Sequence, residues 1–326
     1  MPSLYLDADG GKLRVQERQL QLHHPDGTCT SFPLEQVDRI FVIGALSMSH
    51  SALTTLLDRG VPTTWHTRRG RLRGALAIPQ PAQVQRRTRQ YALLSEAQEA
   101  LALARRLVRA KLASQQRLLG YWRKDHGIPM PQGPLKALQR KAERASSTEQ
   151  LRGVEGLAGR HCYQGLAQAL AGTGFTFSRR QRRPPRDPVN ALLSLGYTLL
   201  LGEMRGAVEH EGLDVYASFF HVADGRQPAL PLDLIEPFRV WVLQMVLELI
   251  RNEVVHPDDF SHDHRGCWLA DGRRGAVYKA WERLMERPLR SSGRPATHRR
   301  SLHQQEAAYA GALAAWPPQP SFYQLR

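Results

Sequence analysis

The first eighty residues alternate apolar and polar side chains with a period of two, which is the pattern of half-buried β-strands. The apolar positions that carry the alternation are Leu4, Leu6, Leu13, Val15, Leu20 and Leu22. The segments Asp9-Gly10-Gly11 and Pro25-Asp26-Gly27 lie between these runs and have the composition of turns. A further strand is predicted at Val37–Ile43, which contains several β-branched residues and is closed by Gly44.

One short helix interrupts the strand pattern. It is predicted to begin at a cap provided by Ser49 and to end near Gly60. Extended structure is predicted again at 61–66 and 72–77. Residues 1–80 are therefore expected to form a small β-rich domain with one helix.

The apolar period changes to 3.6 after Pro79 and Pro81, which mark a domain boundary. One long helix is predicted over 85–122, because this range contains no proline and carries a single apolar stripe. Its polar face is predicted to hold Lys111 and seven arginines. These are Arg86, Arg87, Arg89, Arg105, Arg106, Arg109 and Arg117.

The rest of the chain is predicted to be mostly helical. The helices are expected at 134–145, 155–170, 189–210 and 234–254, with loops at 257–275 and 290–297. The predicted fold class is thus α+β: a small N-terminal β-rich domain, residues 1–80, is followed by a larger all-α C-terminal domain, residues 81–326.

The net charge of the chain indicates which class of partner it binds. Lys and Arg number 45 against 30 Asp and Glu, which gives a formal net charge of +15. Such an excess favours a polyanionic partner, with nucleic acid before an anionic membrane surface. A hydrophobic fraction of 42% is sufficient for a packed core and excludes global disorder.

Other compositional features exclude several classes. Cys29, Cys162 and Cys267 are far apart and lack C-x-x-C spacing, so neither a disulfide framework nor a cysteine-rich zinc site is indicated. The most apolar run, Phe238–Ile250, is interrupted by charged residues and is shorter than the roughly 20 residues of a bilayer span. No signal peptide is recognised at the N-terminus. We therefore expect a cytoplasmic, prokaryotic protein that is not bound to a membrane.

Three segments of the helical domain carry candidate catalytic side chains. Glu155 lies among glycines in RGVEGLAGR, which suggests close approach of backbone or substrate, although a capping turn with a solvated Glu gives the same pattern. His221 ends an apolar aromatic run, a position that a satisfied core histidine also occupies. Asp233 and Glu236 are spaced i and i+3, so on a helix both carboxylates project from one face. The alternative is that they are first-turn acids that the helix dipole stabilises.

Together these residues have the chemistry of a metal site. Carboxylates and an imidazole suit Mg²⁺ or Mn²⁺. A carboxylate-bound metal beside a phosphate-binding surface is the usual apparatus of phosphodiester chemistry. The chain also contains a proline-stiffened basic segment, which we expect to bind phosphate rather than to be merely solvated. Its arginines are Arg179, Arg180, Arg182, Arg183 and Arg186.

Several ordered motifs resemble those of the CRISPR-associated integrase family, the endonuclease-like subunit of the spacer-acquisition machinery. They are GVEGLAGRHCY, RRPPRDPVNALLSLGYTLL, GLDVYASFFH and LPLDLIEPFR, with PLEQVDRIFVIGALSMSHSALTTLLDRGVPTTW nearer the start, RTRQYALL at the linker and GRRGAVYKAWERLMERPL near the end. The resemblance covers nearly the whole chain. It departs at Val215, at Ala217-Ser218 and at Gly159, none of which is a ligand position.

The resemblance implies a metal-dependent DNA strand transferase. In it, Glu155, His221 and Glu236 hold Mg²⁺ or Mn²⁺, with Asp233 as a further catalytic acid of secondary assignment. A 3′-hydroxyl of incoming DNA attacks a phosphodiester at the edge of a CRISPR repeat. The five arginines of the basic segment and the arginine face of the 85–122 helix are expected to hold the DNA backbone.

The resemblance also implies partners. The chain is expected to form a homodimer through the β-rich domain, and two dimers are expected to flank a dimer of a small ferredoxin-like adaptation subunit as a heterohexamer. Its substrates are double-stranded DNA with single-stranded ends and CRISPR repeat DNA.

Three alternatives remain open from the sequence. The first is a nonenzymatic nucleic-acid-binding protein whose acids only cap helices. The second is a transposon-type integrase with the same fold. The third is a metal site in the later cluster of His256, Asp258, Asp259, His262, His264 and Cys267, whose spacing fits no standard zinc pattern.

Overall fold

The α+β class is confirmed by the computed structural model, in which a β-sheet unit precedes a mostly helical one. The chain divides into two compact units, Met1–Gln80 and Pro81–Arg326. The structure describes residues 3–68, 72–76, 84–128, 133–182, 184–222, 227–289 and 296–325. The predicted boundary prolines, Pro79 and Pro81, lie outside these ranges.

The N-terminal unit contains a six-stranded mixed sheet with strand order β3-β2-β1-β4-β5-β6. Its strands are β1 (Ser3–Gln16), β2 (Gln19–His23), β3 (Cys29–Pro33), β4 (Arg39–Met48), β5 (Thr63–His66) and β6 (Leu72–Ala75), and α1 is His50–Asp58. The apolar side of the sheet is buried, as the alternation predicts, and Leu6, Leu13 and Leu56 belong to its core. Ser49 caps α1 by accepting a hydrogen bond from the amide of Ala52 at 3.2 Å.

The predicted turn at Asp9-Gly10-Gly11 is wrong, because β1 continues through it as one 14-residue strand. The register against β4 shifts between Asp9 and Lys12, so the two glycines form a bulge. Gly11 has φ +98°, and a Cβ there would lie 2.7 Å from the carbonyl oxygen of His23. Beyond the bulge, Lys12–Gln16 pairs with β2 as well. The glycines therefore allow one strand to serve two partners.

Gly44 does not close its strand either. β4 runs on to Met48, with Gly44 at φ +96° inside it. A Cβ at Gly44 would lie 2.6 Å from the carbonyl oxygen of Ala8 on β1. Close approach of two backbones, rather than chain termination, explains this glycine.

The C-terminal unit is built from helices with two small sheets. The helices are α2 (Val84–Ser95), α3 (Ala97–His126), α4 (Gly133–Arg144), α5 (Thr148–Ala169), α6 (Pro188–His210), α7 (Ala229–Leu234), α8 (Arg239–Arg251), α9 (Asp271–Glu286) and α10 (His298–Ala312). β7 (Phe260–Asp263) pairs with β8 (Gly266–Leu269), and β9 (Pro288–Leu289) pairs with β10 (Ala296–Thr297). The predicted loops at 257–275 and 290–297 thus contain strands in their described parts.

The predicted single helix over 85–122 is two helices. Glu96 has φ −99° and ψ 85°, which breaks the helical path, and its carbonyl accepts the first hydrogen bond of α3 from Ala100 at 3.0 Å. Neither proline nor glycine marks this break, so periodicity alone did not reveal it.

The predicted helix over 234–254 is also divided. α7 ends at Leu234, a 3-10 turn follows at Glu236–Phe238, and α8 begins at Arg239. Pro237 lies in the turn and has no amide hydrogen for a helical bond. Because the helix is divided here, Asp233 and Glu236 lie on two short elements rather than on one helical face.

The long helices pack closely behind these elements. A Cβ at Gly196 on α6 would lie 2.6 Å from Cγ1 of Val242 on α8, so the glycine permits the contact between the two helices. α8 is buried along most of its length, as the apolar run predicts. None of the helices in the described part of the chain is both long and apolar enough to cross a bilayer.

Candidate active site

Two predicted acids meet at a buried lysine. Lys111 lies in the middle of α3 and is 3% exposed, and its Nζ donates to Oε1 of Glu155 and to Oε2 of Glu236. Glu155 comes from α5 and Glu236 from the 3-10 turn before α8. Residues 44 and 125 positions away from Lys111 are thus brought to one atom.

Glu155 lies inside α5, not in a capping turn. The helix begins at Thr148, where the hydroxyl of Ser147 accepts from the amide of Gln150 at 3.3 Å. A Cβ added at Gly153 or Gly156 would meet no atom within 4 Å. These glycines therefore do not serve internal packing, and they leave the helix surface beside Glu155 without side-chain bulk.

The loop that carries His221 is organised by one carboxylate. Asp233 is fully buried and accepts hydrogen bonds from the hydroxyl of Ser218 and from the amides of Phe219, Phe220 and His221, at 2.7–3.1 Å. Its Oδ1 also lies 2.7 Å from Nδ1 of His221. The imidazole is therefore fixed through one nitrogen, while Nε2 faces Glu236.

Nε2 of His221 lies 3.7 Å from Oε1 of Glu236, and Nη1 of Arg239 lies 3.5 Å from the same oxygen. Burial raises the pKa of the Glu236 carboxyl, but the charges of Lys111, Arg239 and His221 outweigh it and hold the pKa at about 2. Glu236 is therefore a carboxylate at all physiological pH values.

The charge of Glu236 contributes to the pKa shifts of both Lys111 and His221. Burial lowers the pKa of the Lys111 ammonium, but attraction to Glu155 and Glu236 prevails, so its pKa is raised. Burial likewise lowers the pKa of the His221 imidazole, while the Asp233 hydrogen bond and the Glu236 charge give a net rise. The site therefore favours cations next to its carboxylates.

An aromatic pair joins this site to the basic segment. The guanidinium of Arg239 lies 4.1 Å from the ring centroid of Tyr197, and that of Arg180 lies 5.6 Å from the same ring. The hydroxyls of Tyr163 and Tyr197 are 3.3 Å apart. Burial raises the pKa of Tyr197 well above its usual value, so this phenol stays neutral.

The arginines of the basic segment do not form a uniform set. Arg180 is held inside the unit: Nη1 donates to Oδ1 of Asn190 at 2.8 Å and Nη2 donates to Oγ of Ser194 at 3.0 Å. Arg179, Arg182 and Arg186 are exposed. Arg183 lies outside the described residues.

The predicted arginine face of the 85–122 helix is largely engaged within the unit. Arg86 pairs with Glu211, the Nε of Arg87 donates to the carbonyl of Gly212 at 2.7 Å, and Arg105 donates to that of Ala145 at 2.8 Å. These contacts hold α2 and α3 against neighbouring loops, and Arg109 pairs with Glu143 at 3.1 Å.

The assignment of Lys111 to the polar face of its helix is wrong. Its position follows Leu107 and Val108 by four and three residues and precedes Gln115 and Leu118, all of which are buried. The 3.6-residue period through these positions was the signal that could have placed Lys111 inside. Arg239 was missed for the related reason that it interrupts an apolar run.

The arrangement of the donor side chains bears on metal binding. In the ranges that the structure describes, no three His, Cys, Asp or Glu side chains are arranged to hold a metal ion. At the candidate site the Lys111 ammonium lies where two carboxylates converge, so the chemistry of the donors suits a cation. The alternative cluster has no such convergence: Asp259 pairs with Arg273 at 2.9 Å, and His262 and His264 are exposed.

Comparisons with known proteins agree with one another. The family model described as "CRISPR associated protein Cas1" matches residues 4–283. The "CRISPR-associated endonuclease Cas1 1" of Thermus thermophilus is 40% identical over 287 residues, which are 87% of each chain.

Two solved structures have the same fold. The "Casposase bound to integration product" has a TM-score of 0.89 at 20% identity and covers 99% of this chain and 93% of that one. The "Cas6-RT-Cas1--Cas2 complex" has a TM-score of 0.81 at 27% identity, with 100% of this chain and 36% of that one covered.

Proposed function

Because this chain belongs to the Cas1 family, we propose that it is the integrase of CRISPR adaptation, an endonuclease and strand transferase that inserts spacer DNA into a CRISPR array. The convergence of Glu155 and Glu236 on one buried atom, with His221 alongside, carries this proposal. Acids that merely cap helices have no reason to meet from different elements. A nonenzymatic DNA-binding protein is therefore not favoured.

Glu155, His221 and Glu236 are the residues that would hold Mg²⁺ or Mn²⁺. The Asp233–His221 pair supports this, because a ligand imidazole commonly donates its second nitrogen to a carboxylate. A bound divalent cation supplies charge stabilisation at a phosphate and lowers the pKa of an attacking hydroxyl. The chain itself orients the imidazole through Asp233, and the charges of Lys111 and Arg239 keep Glu236 ionised.

The DNA backbone is proposed to lie across the exposed arginines Arg179, Arg182 and Arg186, with Arg183 added from the sequence. The net charge of +15 supports a polyanionic substrate. Arg180 has a different role, since it anchors this segment to α6 through Asn190.

We extend the proposal to assembly and location. One structure that resembles this chain contains Cas1 together with Cas2. A homodimer joined to a small ferredoxin-like subunit as a heterohexamer, acting in the cytoplasm of a prokaryotic cell, fits that likeness. A transposon-type integrase shares the fold, and the genomic neighbourhood of a repeat array separates the two.

A strand-transfer assay on a repeat-containing plasmid tests the function. We expect wild-type protein with the small subunit to join a 3′-OH duplex in Mg²⁺ or Mn²⁺ and to be inactive in EDTA. Glu155→Gln should abolish joining, whereas Glu149→Gln, at an exposed position of the same helix, should not. Joining by wild-type protein in EDTA, or full activity of Glu155→Gln, would refute the proposal.

A further inference from the structure

Lys111 is the group that the catalytic proposal leaves without a role. Its ammonium is buried and contacts one oxygen of Glu155 and one of Glu236. Both acids are among the three proposed to hold the divalent cation. A side-chain cation and a metal ion thus have the same two partners.

The burial of Glu236 makes its contact with the Lys111 ammonium important for the stability of the site. Glu236 is 4% exposed at its side chain, and its second oxygen faces Arg239 and His221 at 3.5 and 3.7 Å. An unpaired carboxylate at this depth is strongly unfavourable. Lys111 therefore supplies positive charge where the buried carboxylate of Glu236 meets the half-buried carboxylate of Glu155.

Resting on the proposed metal site, we propose that Lys111 is an internal counter-ion that competes with the divalent metal for Glu155 and Glu236. An ammonium and a divalent cation in contact with the same carboxylates repel each other strongly in a weakly screening interior. Metal binding therefore displaces Lys111 from at least one acid. The free energy of this displacement weakens metal affinity, whereas in the absence of metal the Lys111 ammonium holds the two acids together.

The measurement is Mn²⁺ affinity, followed by electron paramagnetic resonance of free Mn²⁺. We expect Lys111→Met, which keeps the length of the side chain and removes its charge, to bind Mn²⁺ at least tenfold more tightly than wild type. Lys124→Met, at an exposed position of the same helix, should bind as wild type does. Adding Glu155→Gln to Lys111→Met should remove the gain.

The outcomes separate this inference from the proposed function. If neither wild type nor Lys111→Met binds Mn²⁺, the metal site itself is refuted. If both bind with the same affinity, the metal site stands and the competition is refuted.

If Lys111→Met does not fold, chemical labelling of the wild-type protein tests whether metal binding displaces Lys111. Acetylation of Lys111, measured by mass spectrometry, should be slow in EDTA and at least fivefold faster in Mn²⁺, because displacement exposes the amine. An unchanged rate at a Mn²⁺ concentration that restores strand transfer would overturn the proposal.

Discussion

Asp233 and His221 are joined at 2.7 Å between Oδ1 and Nδ1, and the same carboxylate also accepts from the backbone amide of His221 at 2.9 Å. One buried acid thus fixes both the loop and the ring that the loop carries. We therefore propose that Asp233 is a positioning residue, with Glu236 and Glu155 nearer to the proposed chemistry.

Asp233→Asn should separate positioning from folding. The amide group of Asn presents a donor where the structure needs an acceptor, which leaves a buried donor unpaired and costs about 1–3 kcal/mol of stability. We expect strand transfer to fall by about 10–100-fold, as for other carboxylates behind a ligand histidine. Plasmid joining and thermal unfolding measure the two effects. Asp258→Asn, at an exposed position, is the control, and full activity of Asp233→Asn would contradict the positioning role.

The exposed arginines should act through charge. Replacing Arg179, Arg182 and Arg186 together by Ala is expected to weaken DNA binding about equally for unrelated sequences. Each lost phosphate contact should reduce the steepness of the log affinity against log salt plot by about 0.9. Fluorescence anisotropy across a salt series measures this slope.

Arg283→Ala on α9 provides an exposed control that removes one positive charge elsewhere, against three in the triple variant. An unchanged slope in the triple variant would exclude these arginines from the DNA interface. Arg180→Ala is expected to differ in kind: it should lower thermal stability, because it breaks the bonds to Asn190 and Ser194.

The sequence predicts elements well where periodicity and caps act locally. Ser49 begins α1 as expected, and α6 begins at Pro188 with Asp187 as its cap. Prediction from the sequence fails where the backbone of a strand distant in sequence determines which residue is tolerated. Gly11 and Gly44 are predicted to mark a turn and a strand end. Each instead lies within a strand and allows close approach to the backbone of a neighbouring strand, at His23 and Ala8 respectively.

The candidate site shows the same division. Resemblance identified Glu155, His221 and Glu236, and the structure brings Glu155 and Glu236 to one atom, with His221 beside Glu236. Lys111 was misplaced because a lysine is ordinarily solvated, and only two acids from distant elements make its burial tolerable. The 3.6-residue period places Lys111 on the buried face of α3, but no local pattern identifies the two acids that it contacts.

Tyr323, near the C-terminus, is expected to stabilise the 3-10 turn that carries Glu236. Tyr323 stacks on Phe238 with ring centroids 4.5 Å apart, and its hydroxyl lies 3.3 Å from Nε1 of Trp241. Phe238 follows Glu236 by two residues. Tyr323→Ala should therefore lower both the free energy of unfolding, by about 1–3 kcal/mol, and the strand-transfer rate.

Tyr323→Phe is the matched variant for this contact. It keeps the stacking and loses only the hydroxyl that accepts from Trp241, so it should lose less stability than the Ala variant and keep activity near that of wild type. Chemical denaturation and plasmid joining provide the two readouts. Equal behaviour of the Ala variant and wild type would show that the segment does not support the Glu236 turn.

Glu306 predicts a dependence of stability on pH. It is buried in α10, and burial together with the nearby charge of Glu211 raises the pKa of its carboxyl to about 9, although Arg86 opposes the shift. The folded protein therefore holds a proton that the unfolded chain has already lost. Stability from this residue is present below the unfolded pKa of about 4.5 and is lost as pH rises toward 9.

Glu306→Gln should flatten this dependence, because the amide resembles the protonated acid and does not ionise. At pH 8 we expect the variant to be more stable than wild type by at least about 1 kcal/mol, and at pH 5 the two should nearly coincide. Urea denaturation at both pH values measures the difference. Glu149→Gln, an exposed acid of α5, should show no such gain at pH 8. A wild-type protein whose stability rises from pH 5 to pH 8 as steeply as that of Glu306→Gln would contradict the raised pKa, since the two curves must diverge if Glu306 is protonated only when folded.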